Sequence, residues 1–220
     1  MIAIVDAFHY PTADNDLDVF STQFGLPHCT IANGCFKVVY ASGSQPSTNC
    51  GWAQETALDI EWAHAMAPNA KIVLVEAASN SFADLFAAVD VATAQVTTGN
   101  ASGNGEVSMS WSGGEFSTES SNDSHFQNNG LVYFASSGDT GGVNSYPSVS
   151  PYVVSAGGTT IHRTNGVFTS ETAWSGSGGG PSKYEAKLAY QNGVAGTDST
   201  KRSAPDFSFD ADPASGVSVL

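Results

Sequence analysis

Short runs of β-branched and apolar residues alternate with helical patterns along most of this chain, and this alternation constrains its fold more than any other feature. Helices are predicted at Gly51–Met66, Ser81–Gln95 and Thr118–Asn128. The strand-like runs lie at Ile2–Val5, Val38–Tyr40, Ile72–Val75, Val107–Met109, Leu131–Ala135 and Tyr152–Ala156. Alternation of this kind favours an α/β fold with a parallel sheet and helices on both faces. From Thr159 onward, Gly, Ser and Thr dominate and predict turns instead of regular elements.

Composition narrows the class of protein further. The 220 residues suffice for one sizeable α/β domain, and neither an internal repeat nor a dividing linker is present in the sequence. The chain carries 7 Lys and Arg against 21 Asp and Glu, and its formal charge of −14 repels nucleic-acid phosphates. No apolar run reaches the roughly 18 residues of a membrane span. We therefore expect one domain over residues 1–220, with no nucleic-acid partner and no membrane.

The three cysteines predict one disulfide. Cys29 and Cys35 flank a segment in which Asn33-Gly34 indicates a tight turn that would bring the two sulfurs together. A Cys29–Cys35 bridge indicates an oxidising, extracellular compartment, and it leaves Cys50 over. The cysteines lack the paired spacing of a zinc site and the five histidines show no helical ligand spacing. We expect no metal ion at these residues.

Polar residues follow three of the predicted strands, where open α/β folds place their ligand crevice. Asp6 follows the first strand, Ser110–Gly114 the fourth and Ser136–Gly141 the fifth. The carboxyl ends of parallel strands meet at one edge of a sheet, so we expect the functional site at this edge.

The predicted helix Gly51–Met66 carries Glu55 and Asp59, which are four residues apart and therefore lie on one face. Ionising both carboxyls at about 5–6 Å costs roughly 3 kcal/mol at an effective dielectric near 20, so the pair is expected to share one proton in mild acid. A solvated acidic helix face is the alternative, which Glu61 would also suit. The mostly apolar neighbours on this helix favour burial instead.

Asp139 lies in a glycine-flanked turn at a strand end. Glycines allow the backbone to approach a ligand closely, and a carboxyl placed there can point into a cleft. An ordinary Asx turn explains Gly138-Asp139-Thr140-Gly141 equally well. The local sequence leaves both interpretations open.

Four segments, taken together, carry a family resemblance. They are Gly51–Asp59, Ser110–Glu115, Ser136–Gly141 and Pro205–Pro213. In this order they resemble the sedolisin, or serine-carboxyl peptidase, family, and the similarity runs over nearly the whole chain. The resemblance implies a subtilisin-like parallel sheet flanked by helices and C-terminally incomplete. It also implies that residues 1–220 are a partial catalytic domain of a secreted, acid-active endopeptidase that acts on peptides or proteins.

The resemblance also implies roles for individual residues. Glu55 would be the general base, Asp59 its supporting carboxyl and Asp139 the acid of the oxyanion site. The substrate backbone would pair with an extended wall. The substrate-binding residues implied in this way are Ser110, Trp111, Ser112 and Gly113, with Ser137 and Gly138 beside Asp139. Trp174 would lie in a loop near the substrate cleft, and Asp6 would lie at the margin of the site and take no part in its chemistry.

Acid conditions suit these roles on chemical grounds alone. At a pH of about 4 an ordinary histidine is protonated and cannot act as a base, whereas an ordinary glutamate is still partly ionised. An oxyanion donor must offer a proton, and a carboxyl such as Asp139 offers one only while it is neutral. Both requirements favour low pH.

The resemblance leaves the nucleophile unassigned. In the family it is a serine in a Gly-Thr-Ser segment downstream of Asp-Ala-Asp-Pro, and the sequence reaches Leu220 without such a segment. Gly157–Thr160 is similar to it only superficially and occupies an earlier place. We expect this chain alone to be inactive and to be completed by a second chain or a C-terminal segment. No cofactor is expected within the chain, and the calcium ion implied for the complete protein belongs to that C-terminal portion.

Two other functions remain to be weighed. A non-catalytic module could bind an extended peptide along Ser110–Gly114 by strand addition. Acid-pair chemistry on sugars is disfavoured, because two carboxyls on adjacent turns of one helix do not face each other across a substrate.

Asn100 and Asn122 stand in Asn-x-Ser sequences, which would be glycosylated in a secreting eukaryote.

Overall fold

The computed structural model describes residues 1–99 and 102–220, which divide into two compact units. The first unit comprises Met1–Ser110, Asn128–Val132 and Ser218–Leu220, and the second comprises Trp111–Gln127 and Tyr133–Val217. Asn100, one of the two candidate glycosylation sites, lies outside the described residues. The expectation that the chain forms one domain stays a prediction.

The first unit contains four strands and three helices. In chain order these are β1 (Ile2–Ala7), α1 (Ala13–Phe24), β2 (Phe36–Tyr40), α2 (Cys50–Met66), β3 (Ile72–Ala77), α3 (Phe82–Gly99) and β4 (Gly105–Met109). The strands are parallel in the order β4-β1-β3-β2. The register pairs Asp6 of β1 with Glu76 of β3, so two acidic side chains lie next to each other at the carboxyl end of this sheet.

Both faces of this sheet are buried, as the continuous apolar runs of parallel strands require. Ile4 and Leu74 pack in one cluster with Leu17 of α1 and Ile60 of α2. The alternate residues of the strands point to the opposite face, where α3 packs on β1, β3 and β4. The α/β prediction is therefore confirmed, and the strands lie at the predicted runs.

Helix α1 was missed by the sequence analysis. Its residues Ala13–Phe24 include three aspartates and only a narrow apolar stripe, so the pattern does not stand out as helical. Its buried residues include Ala13, Leu17 and Phe20 at the helical spacing of three to four residues. Packing of this stripe, and not intrinsic preference, supplies most of the stability of such a helix.

The second unit is built mainly from strands. These are β5 (Gly113–Gly114), β6 (Leu131–Ser136), β7 (Ser145–Tyr146), β8 (Val153–Thr164), β9 (Val167–Ala173), β10 (Gly180–Ala186), β11 (Lys201–Ala204) and β12 (Phe207–Asp210). Strand β8 pairs in parallel with β6 and β12 and antiparallel with β9. The pairs β5–β7 and β10–β11 are antiparallel.

Two predicted features of the second unit were wrong. The region after Thr159 contains strands β9 to β12 and the end of β8, although its composition predicted turns. Strand β9 is exposed along its whole length, so no burial-driven alternation marks it in the sequence. The helix predicted at Thr118–Asn128 is a shorter 3₁₀ helix at Glu119–Phe126.

The structure joins Cys29 and Cys35 in a disulfide, with their Cα atoms 4.9 Å apart. Gly34 between them has a φ of 76°, the left-handed conformation that glycine adopts without strain. Cys29 is buried in the core of the first unit, whereas Cys50 is free and exposed. Within residues 1–99 and 102–220, no helix combines the length and the apolar character needed to cross a membrane.

Candidate active site

Helix α2 begins directly at the candidate site. Asn49 is its N-cap, and the side-chain oxygen of Asn49 accepts hydrogen bonds from the backbone N–H groups of Gly51 and Trp52 at 3.0 and 3.2 Å. This cap fixes the first turn of the helix. Glu55 and Asp59 follow at the spacing that puts both on one face.

Asp59 lies in an environment that disfavours its charge. Its Oδ2 atom is fully buried, and in the described part of the chain this atom has no hydrogen-bond partner. Burial and the neighbouring Glu55 carboxylate raise the pKa of Asp59 to about 7, although the Ser110 hydroxyl donates a hydrogen bond that favours the ionised form. In acid, therefore, Asp59 is neutral and can hold the proton that the pair shares.

Asp6 extends this pair into a cluster of three carboxyls. Its side chain is completely buried, and neither of its oxygens makes a well-formed hydrogen bond to a residue that the structure describes. Burial raises the pKa of Asp6 well above its ordinary value, and the charges of Asp59 and Glu55 raise it further. The Thr56 hydroxyl opposes this increase only in part. The pKa of Asp6 thus depends on both members of the pair, while the expectation that Asp6 lies at the margin of the site and outside its chemistry stays a prediction.

The solvated acidic face proposed as the alternative for α2 is not what the structure shows. Glu61 is buried, and burial raises its pKa to about 7. The backbone N–H of Leu220 donates to the Glu61 carboxyl, with an N···O distance of 3.2 Å to Oε2. Glu61 and the Asp59 carboxyl are therefore covered within the first unit, in line with the mostly apolar neighbours on this helix.

A cleft of about 400 Å³ opens beside the carboxyl pair. Trp52, Glu55 and Ser110 line it together with Asn49 and Gly51. Glu55 thus faces space that a substrate could enter, whereas Asp59 and Asp6 are covered. Such an arrangement places one accessible carboxyl next to two covered carboxyls whose pKa values it raises.

In the second unit, the turn after β6 presents Asp139 at a smaller cavity of about 190 Å³. Asp139 is exposed, and Ser137, Gly138 and Trp174 also line this cavity. Gly138 has a φ of 96°, and its carbonyl accepts a hydrogen bond of 2.7 Å from the backbone N–H of Gly178. The structure therefore fixes the backbone on one side of Asp139 while leaving its carboxyl accessible.

The predicted substrate-binding wall is divided between the two units. Ser110 belongs to the first unit, where it contacts Asp59, and Trp111 to Gly113 belong to the second. Trp111 is buried, Ser112 is exposed, and Gly113 lies in strand β5 opposite Tyr146. Asp139 also lies in the second unit, whereas Glu55, Asp59 and Asp6 lie together in the first unit.

Sequence reasoning missed Glu76, the buried residue at the end of β3. Its charge adds to those that raise the pKa of Asp6, and its own pKa is raised because burial outweighs its hydrogen bonds to Tyr10 and His9. The sequence could have indicated Glu76, because it is an acidic residue near the end of a buried strand, as Asp6 is in β1.

Among the described residues, one group of three metal-ligating side chains has its ligand atoms within 4.8 Å of one another, namely Cys29, Cys35 and His64. Its two sulfurs are joined in the disulfide and are not available as thiolates.

Comparison with known proteins defines the class of this fold. The solved structure of Pseudomonas sedolisin, a serine-carboxyl proteinase complexed with two molecules of pseudo-iodotyrostatin, matches with a TM-score of 0.78 and 24% identity, over 96% of this chain and 64% of that one. A psychrophilic protease, S41, matches with a TM-score of 0.51 and 16% identity, over 81% of this chain and 58% of that one. The fold is therefore an α/β fold of the subtilisin type.

Curated relatives define the family. Kumamolisin from Bacillus sp. (strain MN-32) is 30% identical over 197 residues, covering 76% of this chain and 34% of the relative. Sedolisin from Pseudomonas sp. (strain 101) is 38% identical over 86 residues, and xanthomonalisin from Xanthomonas sp. (strain T-22) is 35% identical over 94 residues. Each of these two alignments covers 34% of this chain, with 14% of sedolisin and 11% of xanthomonalisin. No protein-family model matches the chain.

The chain belongs to the sedolisin family of serine-carboxyl peptidases, as the sequence resemblance implied. It spans between 11% and 34% of the length of these curated relatives.

Proposed function

We propose that this chain is part of the catalytic domain of an acid-active serine-carboxyl endopeptidase. Glu55 is the general base that takes the proton of the attacking hydroxyl, and Asp59 is its supporting carboxyl. Asp139 donates a proton to the oxyanion that forms on the scissile carbonyl. The attacking hydroxyl is assigned to no residue of this chain, so the proposal concerns the whole protein.

The observation that carries the proposal is the unequal burial of two adjacent carboxyls. Asp59 has a pKa of about 7 and is neutral in acid, whereas Glu55 faces the cleft. When the buried member holds the shared proton, the negative charge rests on the accessible member. Glu55 is thereby available as a base under conditions in which a histidine base is protonated.

Binding and oxyanion stabilisation are proposed for the second unit. The exposed Asp139 donates a hydrogen bond only while protonated, so its contribution increases as the pH falls. An extended substrate would add a strand along Ser110, Trp111, Ser112 and Gly113, with Ser137 and Gly138 contacting it near Asp139. The short pairing of β5 with β7 supports this role, because it holds Gly113 extended.

The substrate, location and accessory parts follow from this proposal. The partner is a peptide or protein substrate, and a second chain or a C-terminal segment completes the domain and supplies calcium-binding residues. The disulfide supports secretion into an oxidising environment. Because this chain offers no residue in the role of nucleophile, we expect it to show no peptide hydrolysis on its own.

The test is a peptidase assay of the full-length protein between pH 3 and 7, with Glu55→Gln as the variant. Loss of the general base is expected to lower kcat by about 10²–10⁴-fold, with a smaller effect on KM. Glu106→Gln is the matched control, since Glu106 is an exposed carboxyl on β4 in the same unit. Wild-type activity in Glu55→Gln would remove Glu55 from the mechanism.

The same variant addresses the second candidate function, a peptide-binding module without catalysis. The pairing of β5 with β7 would serve such a module as well. A full-length protein that binds peptides equally well with Glu55→Gln and Asp139→Asn, but never cleaves them, would support this alternative over the peptidase.

A further inference from the structure

A buried carboxyl–imidazole pair lies in the first unit, next to the carboxyl cluster. His9 Nδ1 lies 2.8 Å from Glu76 Oε2, and their side chains are only 12% and 1% exposed. The other oxygen of Glu76 accepts a hydrogen bond of 3.0 Å from the backbone N–H of Tyr10. Glu76 therefore holds two consecutive residues of the turn that follows β1.

This turn has a backbone conformation that needs such support. Phe8 has a φ of 67°, a left-handed value that a non-glycine residue adopts only where its surroundings hold it. The N–H of Phe8 donates to the carbonyl of Ala77, the residue after Glu76, at 2.9 Å. The end of β3 thus fixes the turn at Phe8, His9 and Tyr10.

The same turn holds the segment that leads into α2. The N–H of His9 donates to the carbonyl of Ser47 at 2.9 Å, and His9 forms a parallel bridge with Thr48. Thr48 precedes Asn49, the N-cap of the helix. Residues 47–51 are all exposed, so little burial of their own orders them.

A side-chain contact connects the turn with the cleft as well. The rings of Phe8 and Trp52 lie 6.3 Å apart between centroids, and Trp52 lines the cleft next to Glu55. Glu76 is therefore connected to the start of the active-site helix in two ways, through the backbone of His9 and through the ring of Phe8.

We infer that Glu76 is a positioning residue, which holds the Phe8–Tyr10 turn through His9 and Tyr10 and so fixes the first turn of α2 beside the candidate catalytic Glu55. Its effect on turnover rests on the proposed peptidase function, whereas its effect on the order of the helix start does not. Glu76 contacts neither the substrate cleft nor the reacting groups directly.

The charge of the pair gives this role a pH signature. The titratable groups around it are Asp6 on β1, Tyr10 in the turn and Tyr40 on β2, whose ring contacts His9 edge-on at 5.7 Å. Glu76 keeps an oxygen towards His9 in either charge state, because a protonated carboxyl retains acceptor capacity, and it can therefore accept a hydrogen bond from His9 whether or not a second proton is on the imidazole ring. A glutamine at position 76 can accept from Tyr10 but must present its N–H₂ group to His9.

Glu76→Gln is therefore expected to preserve the turn near neutral pH and to lose it in acid. A neutral imidazole can accept the amide proton at Nδ1, whereas an imidazolium has N–H groups on both nitrogens and offers no acceptor. The matched control is Asp18→Asn, which alters a similar carboxylate–imidazole pair with His28 at 2.6 Å on the exposed surface of α1.

The first experiment measures hydrogen exchange in the full-length protein over residues 47–53, at acid and neutral pH. In Glu76→Gln the protection factors of the Gly51, Trp52 and Ala53 amides are expected to fall at least tenfold in acid and less than threefold at neutral pH. Wild type and Asp18→Asn are expected to keep the same protection at both. Equal protection in Glu76→Gln and wild type at acid pH would overturn the inference.

A second variant tests the inference in case Glu76→Gln fails to fold. His9→Gln presents an amide N–H to Glu76 that does not titrate, so its protection at residues 51–53 is expected to be independent of pH. If Glu76→Gln fails to fold, His9→Gln decides alone, and acid-specific loss of protection in it would contradict the inference.

The second experiment measures peptidase kinetics on the same full-length proteins. Glu76→Gln is expected to lower kcat about tenfold at pH 4 with KM changed less than twofold, and the deficit should shrink as the pH rises. If the wild type lacks activity, the proposed function fails while the exchange data still test the role of Glu76. Unchanged kcat together with lost protection would contradict the catalytic part of the inference alone.

Discussion

At the scale of single residues, the candidate site is defined by the protonation states of three neighbouring carboxyls. Glu55 is accessible from the cleft, whereas Asp59 and Asp6 are covered and have raised pKa values. Covering a carboxyl disfavours its charge, and each charge added nearby raises the pKa of the others. The charge of Glu55 therefore raises the pKa of both covered carboxyls.

The raised pKa of Asp6 gives a prediction for stability. Because its folded pKa lies above its unfolded value near 4, ionisation of Asp6 costs stability as the pH rises through the folded pKa. Asp6→Asn is nearly isosteric and remains neutral. We expect its free energy of unfolding to be within about 1 kcal/mol of wild type at pH 4 and to exceed wild type at pH 8.

Urea unfolding of the two proteins at both pH values tests this prediction. Asp14→Asn is a control on α1, because Asp14 is only partly buried and accepts a hydrogen bond from the N–H of Ile31. A stability difference between Asp6→Asn and wild type that does not change with pH would show that Asp6 does not titrate as argued.

At the scale of elements, α2 depends on the residues that precede it. Its carboxyl pair is internal to the helix and follows from the i, i+4 spacing, but the direction in which the helix starts is set by Asn49 and by the Phe8–Tyr10 turn. The exposed segment before the helix contributes little packing. Capping and the tether through His9 therefore have a large share in holding Glu55 at the cleft.

Removal of the cap tests this dependence. Asn49→Ala leaves the N–H groups of Gly51 and Trp52 without their side-chain acceptor and is expected to cost about 1 kcal/mol of stability. Asn49→Asp keeps an acceptor oxygen and is expected to remain within about 0.5 kcal/mol of wild type. Chemical denaturation of the full-length protein measures both. A loss for Asn49→Asp as large as that for Asn49→Ala would contradict the capping argument.

At the scale of the whole molecule, the acidic composition includes several buried carboxyls that no nearby cation compensates fully. In the second unit, Glu119 and Glu185 are buried and each has an Oε1 atom with no hydrogen-bond partner among the described residues. Burial first, and then neighbouring acids, raise the pKa of each from 4.5 to about 7. Lys201 opposes this increase at Glu185 only.

These groups predict a protein that is more stable in acid than at neutrality. The pKa values of Glu119 and Glu185 are higher in the folded than in the unfolded state. Their contribution to the free energy of unfolding is therefore greatest below pH 4.5 and decreases as the pH rises to about 7. We expect the Tm to fall by roughly 5 °C or more over this range, and the double variant Glu119→Gln, Glu185→Gln to reduce the fall. Glu171→Gln, at an exposed position on β9, is the control.

Thermal unfolding followed by circular dichroism between pH 4 and 8 measures this effect. An increase of Tm with pH in wild type would contradict the prediction. So would a double variant whose Tm changes with pH as steeply as that of wild type.

The sequence by itself determined the α/β class, the strand runs, the polar residues at the strand ends and the placement of Glu55 and Asp59 on one helix face. These features depend on local periodicity, which a single segment reveals. It did not reveal α1 or the exposed strand β9, because a narrow apolar stripe and an unburied strand leave weak patterns.

Only the tertiary structure decided which carboxyls are buried together. Glu55 and Asp59 raise the pKa of Asp6, Glu61 is buried, and Glu76 pairs with His9 across 67 residues of sequence. The charge state of an acid depends on its distance in space from other charges and on its removal from water. Both are set by packing between segments far apart along the chain, so no local pattern encodes them.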